Sequence, residues 1–218
     1  MTRRRRQQML EAAVETIAER GFADTRIADV AGKAGASPAL VLYYFDSKEH
    51  LLTEALTFAE DAFYLSIFHE LTALGSARAR LLRLIELSLG RGDGDAGVTG
   101  DWILWMELWT RALRDPEAAQ KRQALDRRWR STIADIVRSG QESGEFEAVD
   151  VESFTLTLAT LMDGCAIQMV LGDNEASPER VRRICMDVAA RTLGFDVDES
   201  LGRLSSTETR EMSTPVRR

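Results

Sequence analysis

The chain has 218 residues, of which 44% are apolar and 29% are charged, as is ordinary for a soluble globular protein. Only four prolines, no alternating β-branched runs, and abundant Ala, Leu, Glu and Arg favour an all-α fold. No uncharged apolar run reaches 18 residues, and the amphipathic start does not match a signal peptide, so we expect a cytoplasmic protein without a membrane span.

The net charge of −7 is unusual for a protein that binds nucleic acid, but the charge is unevenly distributed. Residues 1–50 hold eight Lys and Arg against seven Asp and Glu, whereas the remainder holds 20 against 28. The early basic residues cluster in the arm 3–6 and at Arg26, Lys33 and Lys48. An acidic chain with a locally basic start repels DNA everywhere except at one intended face.

Apolar periodicity and capping residues predict nine helices in chain order. The first covers 7–20 and ends at Gly21, and the second follows Thr25 as its N-cap. Gly35 supplies a sharp turn, after which Ser37 caps a third helix that starts at Pro38. The remaining predicted helices cover about 48–73, 76–89, 101–114, 116–143, 151–171 and 178–194, with a glycine-rich loop at 90–100.

The third predicted helix has the layout of a DNA recognition helix, which needs a rigid partner helix, a tight turn and a small or polar outward face. Val41 and Phe45 should face the core, with Leu40 or Leu42 flanking them. The residues left near the outer surface are Ser37, Pro38, Ala39, Tyr43 and Tyr44. The alternative is a plain helical hairpin in which both tyrosines are half-buried packing residues.

Residues 7–56 resemble the TetR family of one-component transcriptional regulators. The resemblance is carried by the first helix ending in Arg20-Gly21-Phe22, by TRIADVA (25–31) and AGAS (34–37), and by YYFDSKEHLL (43–52). It implies a nine-helix homodimer whose helices 1–3 bind DNA and whose helices 4–9 hold a ligand pocket and the dimer interface. Ala39-Leu40 and Leu42 depart from the family pattern, so the base contacts cannot be carried over.

We therefore expect residues 1–52 to form a helix-turn-helix DNA-binding domain and 53–195 a ligand-binding and dimerisation domain, followed by a disordered tail, 196–218. Lys48 at the start of the fourth helix suits a phosphate, because free backbone N–H groups lie beside it. The full set of predicted DNA-binding residues is Arg5, Arg6, Arg26, Lys33, Ser37, Pro38, Ala39, Tyr43, Tyr44 and Lys48.

The segment 151–171 is apolar on nearly every face, and the last helix has a narrow apolar seam flanked by arginines. A helix that is apolar all round is buried on both sides, in an ordinary core or between two subunits. Together the two helices predict a four-helix dimer interface, as the resemblance also implies. The predicted interface residues are Phe154, Leu158, Leu161, Val181, Ile184 and Val188.

The helix at 101–114 carries three tryptophans at i, i+3 and i+7. Two interpretations are open: a tryptophan-rich core, or an aromatic pocket for an effector. In the second case the effector could belong to any of three classes: aromatic, apolar or cationic. The cationic case rests on Glu86, Asp101, Glu107 and Asp163, since rings and a carboxylate suit an organic cation. Residues 102–116 and 161–164 also resemble the choline-responsive repressor subgroup. The predicted pocket residues are Phe63, Trp102, Trp105, Met106, Trp109, Trp129, Met162 and Cys165.

The sequence contains no catalytic constellation, and His50 and His69 have no metal-ligand spacing to Cys165 or Cys185, so we expect neither an enzyme nor a cofactor or metal. Buried structural thiols are the expected state of both cysteines. The predicted function is a ligand-responsive repressor that leaves a palindromic operator when a small molecule binds. The alternatives are an activator, and a helical ligand-binding or enzymatic protein whose first domain binds protein.

Overall fold

A computed structural model describes residues 2–90 and 96–197, and side chains are described except at 2 and 96–101. Within these ranges the chain forms nine α-helices, which confirms the predicted all-α fold. Their bounds are α1 Thr2–Asp24, α2 Ile27–Lys33, α3 Pro38–Phe45, α4 Lys48–Thr72, α5 Ala77–Leu89, α6 Ala96–Ala112, α7 Pro116–Glu142, α8 Val151–Val170 and α9 Pro178–Leu193.

The first helix is longer than predicted and is interrupted at the predicted position. It begins at Thr2, so the basic arm is helical, and Gly21 breaks it with a φ of 77° and a ψ of 163°. Only glycine adopts that φ without strain, which explains why the helix is interrupted there. Residues 22–24 then form a separate short helical turn.

The helix-turn-helix is built mainly by the residues that the sequence indicated. Gly35 has a φ of 58°, and the Ser37 hydroxyl accepts a hydrogen bond from the Leu40 N–H at 3.2 Å, so α3 starts at Pro38. The predicted cap of α2 is wrong: the N-cap is Arg26. Thr25 is instead buried, and its hydroxyl donates to the carbonyl oxygen of Gly21 at 2.7 Å, which closes the end of α1.

The helices group into two compact units. Unit 1 contains α1, α2, α3, α4 up to Ser66, α6, and α7 up to Arg127. Its core joins the helix-turn-helix to α6 and α7, because one apolar cluster includes Val41, Phe45, Leu56, Leu104, Leu108 and Leu125. A cluster of this kind makes the recognition helix and α6 parts of one packed body.

Unit 2 contains α4 from Ile67, α5, α7 from Arg128, α8 and α9. Helices α8 and α9 pack on each other, and both pack on α5. The N-terminus of α5 is capped from another element: the carboxylate of Glu145 accepts hydrogen bonds from the backbone N–H groups of Ala77 (2.9 Å) and Arg78 (3.2 Å). Unit 1 contains residues on either side of position 52, and the functional division at 52/53 stays a prediction.

One helix among the described residues, α8, has the length and hydropathy that a membrane span needs. A core helix of a soluble protein meets the same test, so a single such helix is weak evidence. The predicted glycine-rich loop at 90–100 is wrong in its second half, because α6 begins at Ala96. Residues 91–95 of that loop and residues 198–218 of the predicted tail lie outside the described residues.

Candidate DNA interface and effector region

The recognition helix α3 separates a buried face from an exposed one. Val41 and Phe45 are fully buried, as predicted. Tyr43 is the most exposed of its aromatic residues, with 79% of its surface accessible. Ser37, Pro38 and Ala39 are also exposed, so the predicted outer face is a continuous surface of small, hydroxyl and phenol groups. Groups of this kind can contact phosphates, base edges and thymine methyls in a major groove.

The exposure of Tyr44 and Leu42 differs from the prediction. Tyr44 is half-buried, with its ring 5.6 Å from that of Tyr43 and 6.4 Å from that of Phe45, so it also serves as a packing residue. Leu42 is 41% exposed and belongs to the outer face, which the sequence analysis did not anticipate. The signal was available: Leu42 is one position from Val41, and adjacent helical residues point in different directions.

The cations of the arm contact the helix-turn-helix. Arg6 forms an ion pair with Glu54, and its guanidinium lies 4.9 Å from the ring centre of Phe45. Arg5 donates to the side chain of Gln8 at 3.1 Å and to the carbonyl oxygen of Gly35. The arm is therefore attached both to α4, at Glu54, and to the turn before α3.

The other predicted cations differ in how they are engaged. The hydrogen bond to Glu19, at 2.6 Å, raises the pKa of Lys33 above its usual value, and Glu15 at 3.3 Å adds to this. The Lys48 ammonium donates to the carbonyl oxygen of Ala23 at 2.9 Å, and Arg26 is exposed. Phosphate contacts by Lys33 or Lys48 would have to replace or extend these bonds, whereas Arg26 is accessible as it stands.

The tryptophans of α6 form a contiguous cluster. The ring of Trp109 lies 6.3 Å from that of Trp102 and 6.1 Å from that of Trp105, in edge and tilted geometries that aromatic pairs prefer. The indole nitrogen of Trp109 is buried and has no hydrogen-bond acceptor among the described residues. A buried N–H of this kind can donate to a bound molecule.

The predicted pocket residues lie in both units. Phe63, Met106 and the α6 tryptophans belong to unit 1, where Phe63 packs edge-on against Tyr64. Trp129, Met162 and Cys165 belong to unit 2. Met162 is buried there, whereas Cys165 is half-buried on α8. Whether these two groups share a ligand stays a prediction.

Two of the predicted acidic groups are engaged in structural contacts. Glu86 pairs with Arg83 at 3.1 Å, and the carboxylate of Glu107 accepts a hydrogen bond from the backbone N–H of Phe22 at 3.1 Å. Asp163 is half-buried in unit 2, and the side chain of Asp101 lies outside the described residues.

Glu60, which the sequence analysis missed, is the only charged residue of the described chain in the buried class, with 9% of its surface exposed. It lies on α4 between Leu56 and Tyr64, one turn from each. Leu56 shares its core with Leu104 and Leu108 of α6, and the Tyr64 hydroxyl donates to the carbonyl oxygen of Leu125 at 3.4 Å. Glu60 therefore lies on the face of α4 that packs toward α6 and α7. The sequence signal was an acidic residue spaced four from apolar residues on both sides.

The predicted dimer residues include side chains that their own subunit already buries. Phe154, Leu158 and Val181 are no more than 6% exposed. Ile184 is 39% exposed, and Leu161 and Val188 are partly buried. Leu156 on α8 is 53% exposed, so the accessible apolar surface of α8 and α9 is provided by a partly different set of residues.

Both cysteines are free thiols, and burial raises the pKa of each, so both stay protonated at neutral pH. No group of His, Cys, Asp and Glu suited to a metal ion occurs among the described residues.

Comparison with family models finds two matches. Residues 9–55 match the model described as "Bacterial regulatory proteins, tetR family". Residues 77–194 match the model described as "BetI-type transcriptional repressor, C-terminal".

Full-length relatives agree with these matches. The "HTH-type transcriptional regulator BetI" of Ectopseudomonas mendocina (strain ymp) is 28% identical over 188 residues, covering 84% of this chain and 90% of the relative. A solved transcriptional regulator from Saccharomonospora viridis in complex with choline is 32% identical with a TM-score of 0.79, covering 86% of this chain and 96% of that chain. A TetR-family regulator from Rhodococcus sp. is 27% identical with a TM-score of 0.72, covering 87% and 98%.

Proposed function

This chain belongs to the TetR family of bacterial transcriptional regulators and has a BetI-type C-terminal domain. From this premise we propose that its effector is a quaternary ammonium compound of the choline class. It is a DNA-binding, ligand-responsive regulator and not an enzyme, and a repressor role agrees with the BetI relatives. Because a bacterial operator lies in the cytoplasm, we propose that the protein acts there.

The DNA-binding end of the proposal rests on the outer face of α3. Its exposed residues Ser37, Pro38, Ala39 and Tyr43 suit a major groove, and Leu42 adds an apolar group that can contact a thymine methyl. One α3 helix reads only one half-site. A homodimer would place two copies about 34–36 Å apart, the spacing of successive major grooves, and this spacing requires a palindromic operator.

The effector end rests on one observation: a buried carboxylate, Glu60, lies in the same packed unit as the tryptophan cluster of α6. Aromatic faces attract a quaternary ammonium through their quadrupole, and a carboxylate adds a counter-charge that such an ion cannot neutralise by donating a proton. The regulator crystallised with choline supports this chemistry, as a relative at 32% identity. The buried indole N–H of Trp109 would add a donor for a hydroxyl oxygen.

Regulation then follows from differential affinity. If choline binds more tightly to a conformer whose two α3 helices lie away from operator spacing, its binding shifts the population toward that conformer and releases DNA. Binding that was equal in both conformers would shift nothing, however tight it was.

The effector proposal is tested by tryptophan fluorescence with the purified dimer. Choline should change the emission with a saturable dose dependence, whereas 3,3-dimethylbutan-1-ol, its neutral carbon isostere, should bind at least about tenfold more weakly, because it lacks the charge. Glu60→Gln should weaken choline binding by a similar factor. The matched control is Asp61→Asn, an exposed acidic residue adjacent in sequence, which should leave the choline affinity unchanged.

Operator binding is tested by capturing genomic fragments with the same protein and measuring their dissociation constants against salt. A steep linear loss of affinity on a log–log plot indicates phosphate contacts. Equal binding of choline and its neutral isostere would reject the cationic effector, and absence of salt-dependent DNA binding would reject the regulator.

A further inference from the structure

A short segment at the end of α1 is held by α6. Gly21 turns the chain with its positive φ, and the next backbone N–H, that of Phe22, donates to Oε1 of Glu107 at 3.1 Å. The same Oε1 would lie 3.3 Å from a Cβ added to Gly21, so the carboxylate packs directly against the turn. These residues are 85 apart in sequence, and the hydrogen bond joins α1 to α6, which also pack against each other.

Arg111, one helical turn after Glu107, contacts the side chain of Phe22. Its guanidinium carbon lies 4.8 Å from the centre of the Phe22 ring, within the range of a cation–π contact. The same guanidinium donates from Nε to Asp115 at 2.9 Å, and Asp115 in turn accepts from the N–H of Glu117 at the start of α7 at 3.0 Å. We call the hydrogen bond from Phe22 to Glu107 together with the Arg111 stacking the Phe22 contact.

The segment held in this way is also bound to the helix-turn-helix. The hydroxyl of Thr25 donates to the carbonyl oxygen of Gly21 at 2.7 Å, immediately before α2 begins. The ammonium of Lys48 at the start of α4 donates to the carbonyl oxygen of Ala23 at 2.9 Å. A displacement of residues 21–23 would therefore move both helices that support α3.

The tryptophans lie on the opposite side of α6. At about 100° per residue, Arg111 is roughly 40° around the helix from Glu107, whereas Trp102, Trp105 and Trp109 are roughly 140–160° away. One face of α6 therefore presents the effector candidates, and the other face makes the Phe22 contact. A ligand that shifts or rotates the helix on its tryptophan face must move Glu107 and Arg111 as well.

We propose that Glu107 and Arg111 are the residues that transmit effector binding from the tryptophan face of α6 to the DNA-binding helices, through the Phe22 contact; this rests on the proposed function. They are positioning residues, since they touch neither DNA nor effector. A purely structural role predicts a loss of stability with the response to effector unchanged, whereas a transmitting role predicts the loss of that response.

The experiment measures the operator dissociation constant with and without saturating choline, and separately the choline affinity by tryptophan fluorescence. For the wild type we expect choline to weaken operator binding about tenfold or more, within the usual range of allosteric coupling. Glu107→Ala and Arg111→Ala should reduce that ratio below about threefold while choline still binds. Glu107→Gln keeps an acceptor oxygen and should retain most of the ratio, and Arg114→Ala, an exposed arginine near the same helix end, should retain all of it.

A ratio that stays at the wild-type value in both alanine variants would overturn the proposal. If Glu107→Ala also loses its fold, Phe22→Leu decides, because leucine keeps the apolar packing and removes the ring beneath Arg111. Phe22→Leu should lower the ratio, and an unchanged ratio in this variant counts against the proposal.

Failure of the proposed function gives a different result. If the wild-type protein binds no operator, the regulator itself is rejected, and this inference with it. If it binds operator but choline has no effect, hydrogen exchange of residues 102–112 tests the transmission without an effector, since coupling between two sites is reciprocal. Operator should slow exchange there in the wild type and not in Arg111→Ala, and equal protection in both proteins would overturn the proposal.

Discussion

Single residues of α3 divide sharply between packing and recognition. Phe45 is fully buried and supports the arm through Arg6, while Tyr43, two positions earlier, has 79% of its surface accessible. An exposed tyrosine on a helix that packs well on its other face contributes little to stability. Its side chain is therefore available for DNA without a cost to the fold.

Tyr43→Ala should weaken operator binding about tenfold, roughly 1.4 kcal/mol, and leave the unfolding midpoint within about 1 °C. The measurement is a fluorescence-anisotropy titration with the captured operator, beside a thermal melt. Tyr43→Phe separates the hydroxyl from the ring, since a phosphate contact is lost in both variants and a stacking contact only in the alanine variant. Undiminished operator affinity in Tyr43→Ala would mean that the outer face of α3 does not contact DNA.

The N-terminus of a helix can be stabilised by a residue that lies outside that helix, as α5 shows. The N-terminus of α5 receives its carboxylate from Glu145, beyond the end of α7. Burial raises the pKa of Glu145, but hydrogen bonds from Ser76, Ala77 and Arg78 more than offset this and hold it below its usual value. The ionised form is therefore the stabilising one.

Glu145→Gln should cost about 0.5–2 kcal/mol at neutral pH, the usual range for a lost helix cap. Because the folded pKa lies below the unfolded value of about 4.3, the stabilisation is complete above that value and is lost as the pH falls through the folded pKa. Urea unfolding between about pH 6 and pH 3 should thus show a steeper decline for the wild type than for Glu145→Gln. The control, Glu142→Gln at the exposed end of α7, should follow the wild-type curve.

Across the whole molecule, we propose that operator binding requires a second copy of the chain. Unit 2 leaves apolar side chains accessible on α8 and α9, among them Leu156 and Ile184. A residue already buried in its own subunit adds little new area to an interface, so we propose that Ile184 contributes more than Phe154 or Val181. Loss of the dimer would separate the two α3 helices, each of which binds one half-site of the operator.

Ile184→Glu should dissociate the dimer, because it would place two charges in a closed apolar interface. Sedimentation velocity should then show a monomer, and operator affinity should fall by at least about a hundredfold, because single half-sites bind weakly. Leu113→Glu provides the control, since Leu113 on unit 1 is 81% exposed and lies outside α8 and α9. If Ile184→Glu stays dimeric, the interface lies elsewhere.

The sequence by itself determined the helices and the family. Periodic apolar residues, Gly21, Gly35, Ser37 and Pro38 act over one or two helical turns, so their effects are readable from a few neighbouring positions. These local signals predicted the helix-turn-helix and the long helices close to their observed bounds.

Only the tertiary structure decided which polar groups are buried and which form hydrogen bonds between distant helices. The bond from Phe22 to Glu107 joins residues 85 apart, and the burial of Glu60 depends on helices α6 and α7 packing over α4. Such contacts depend on how whole helices pack against one another, and a single sequence specifies that packing only through the sum of many weak contacts.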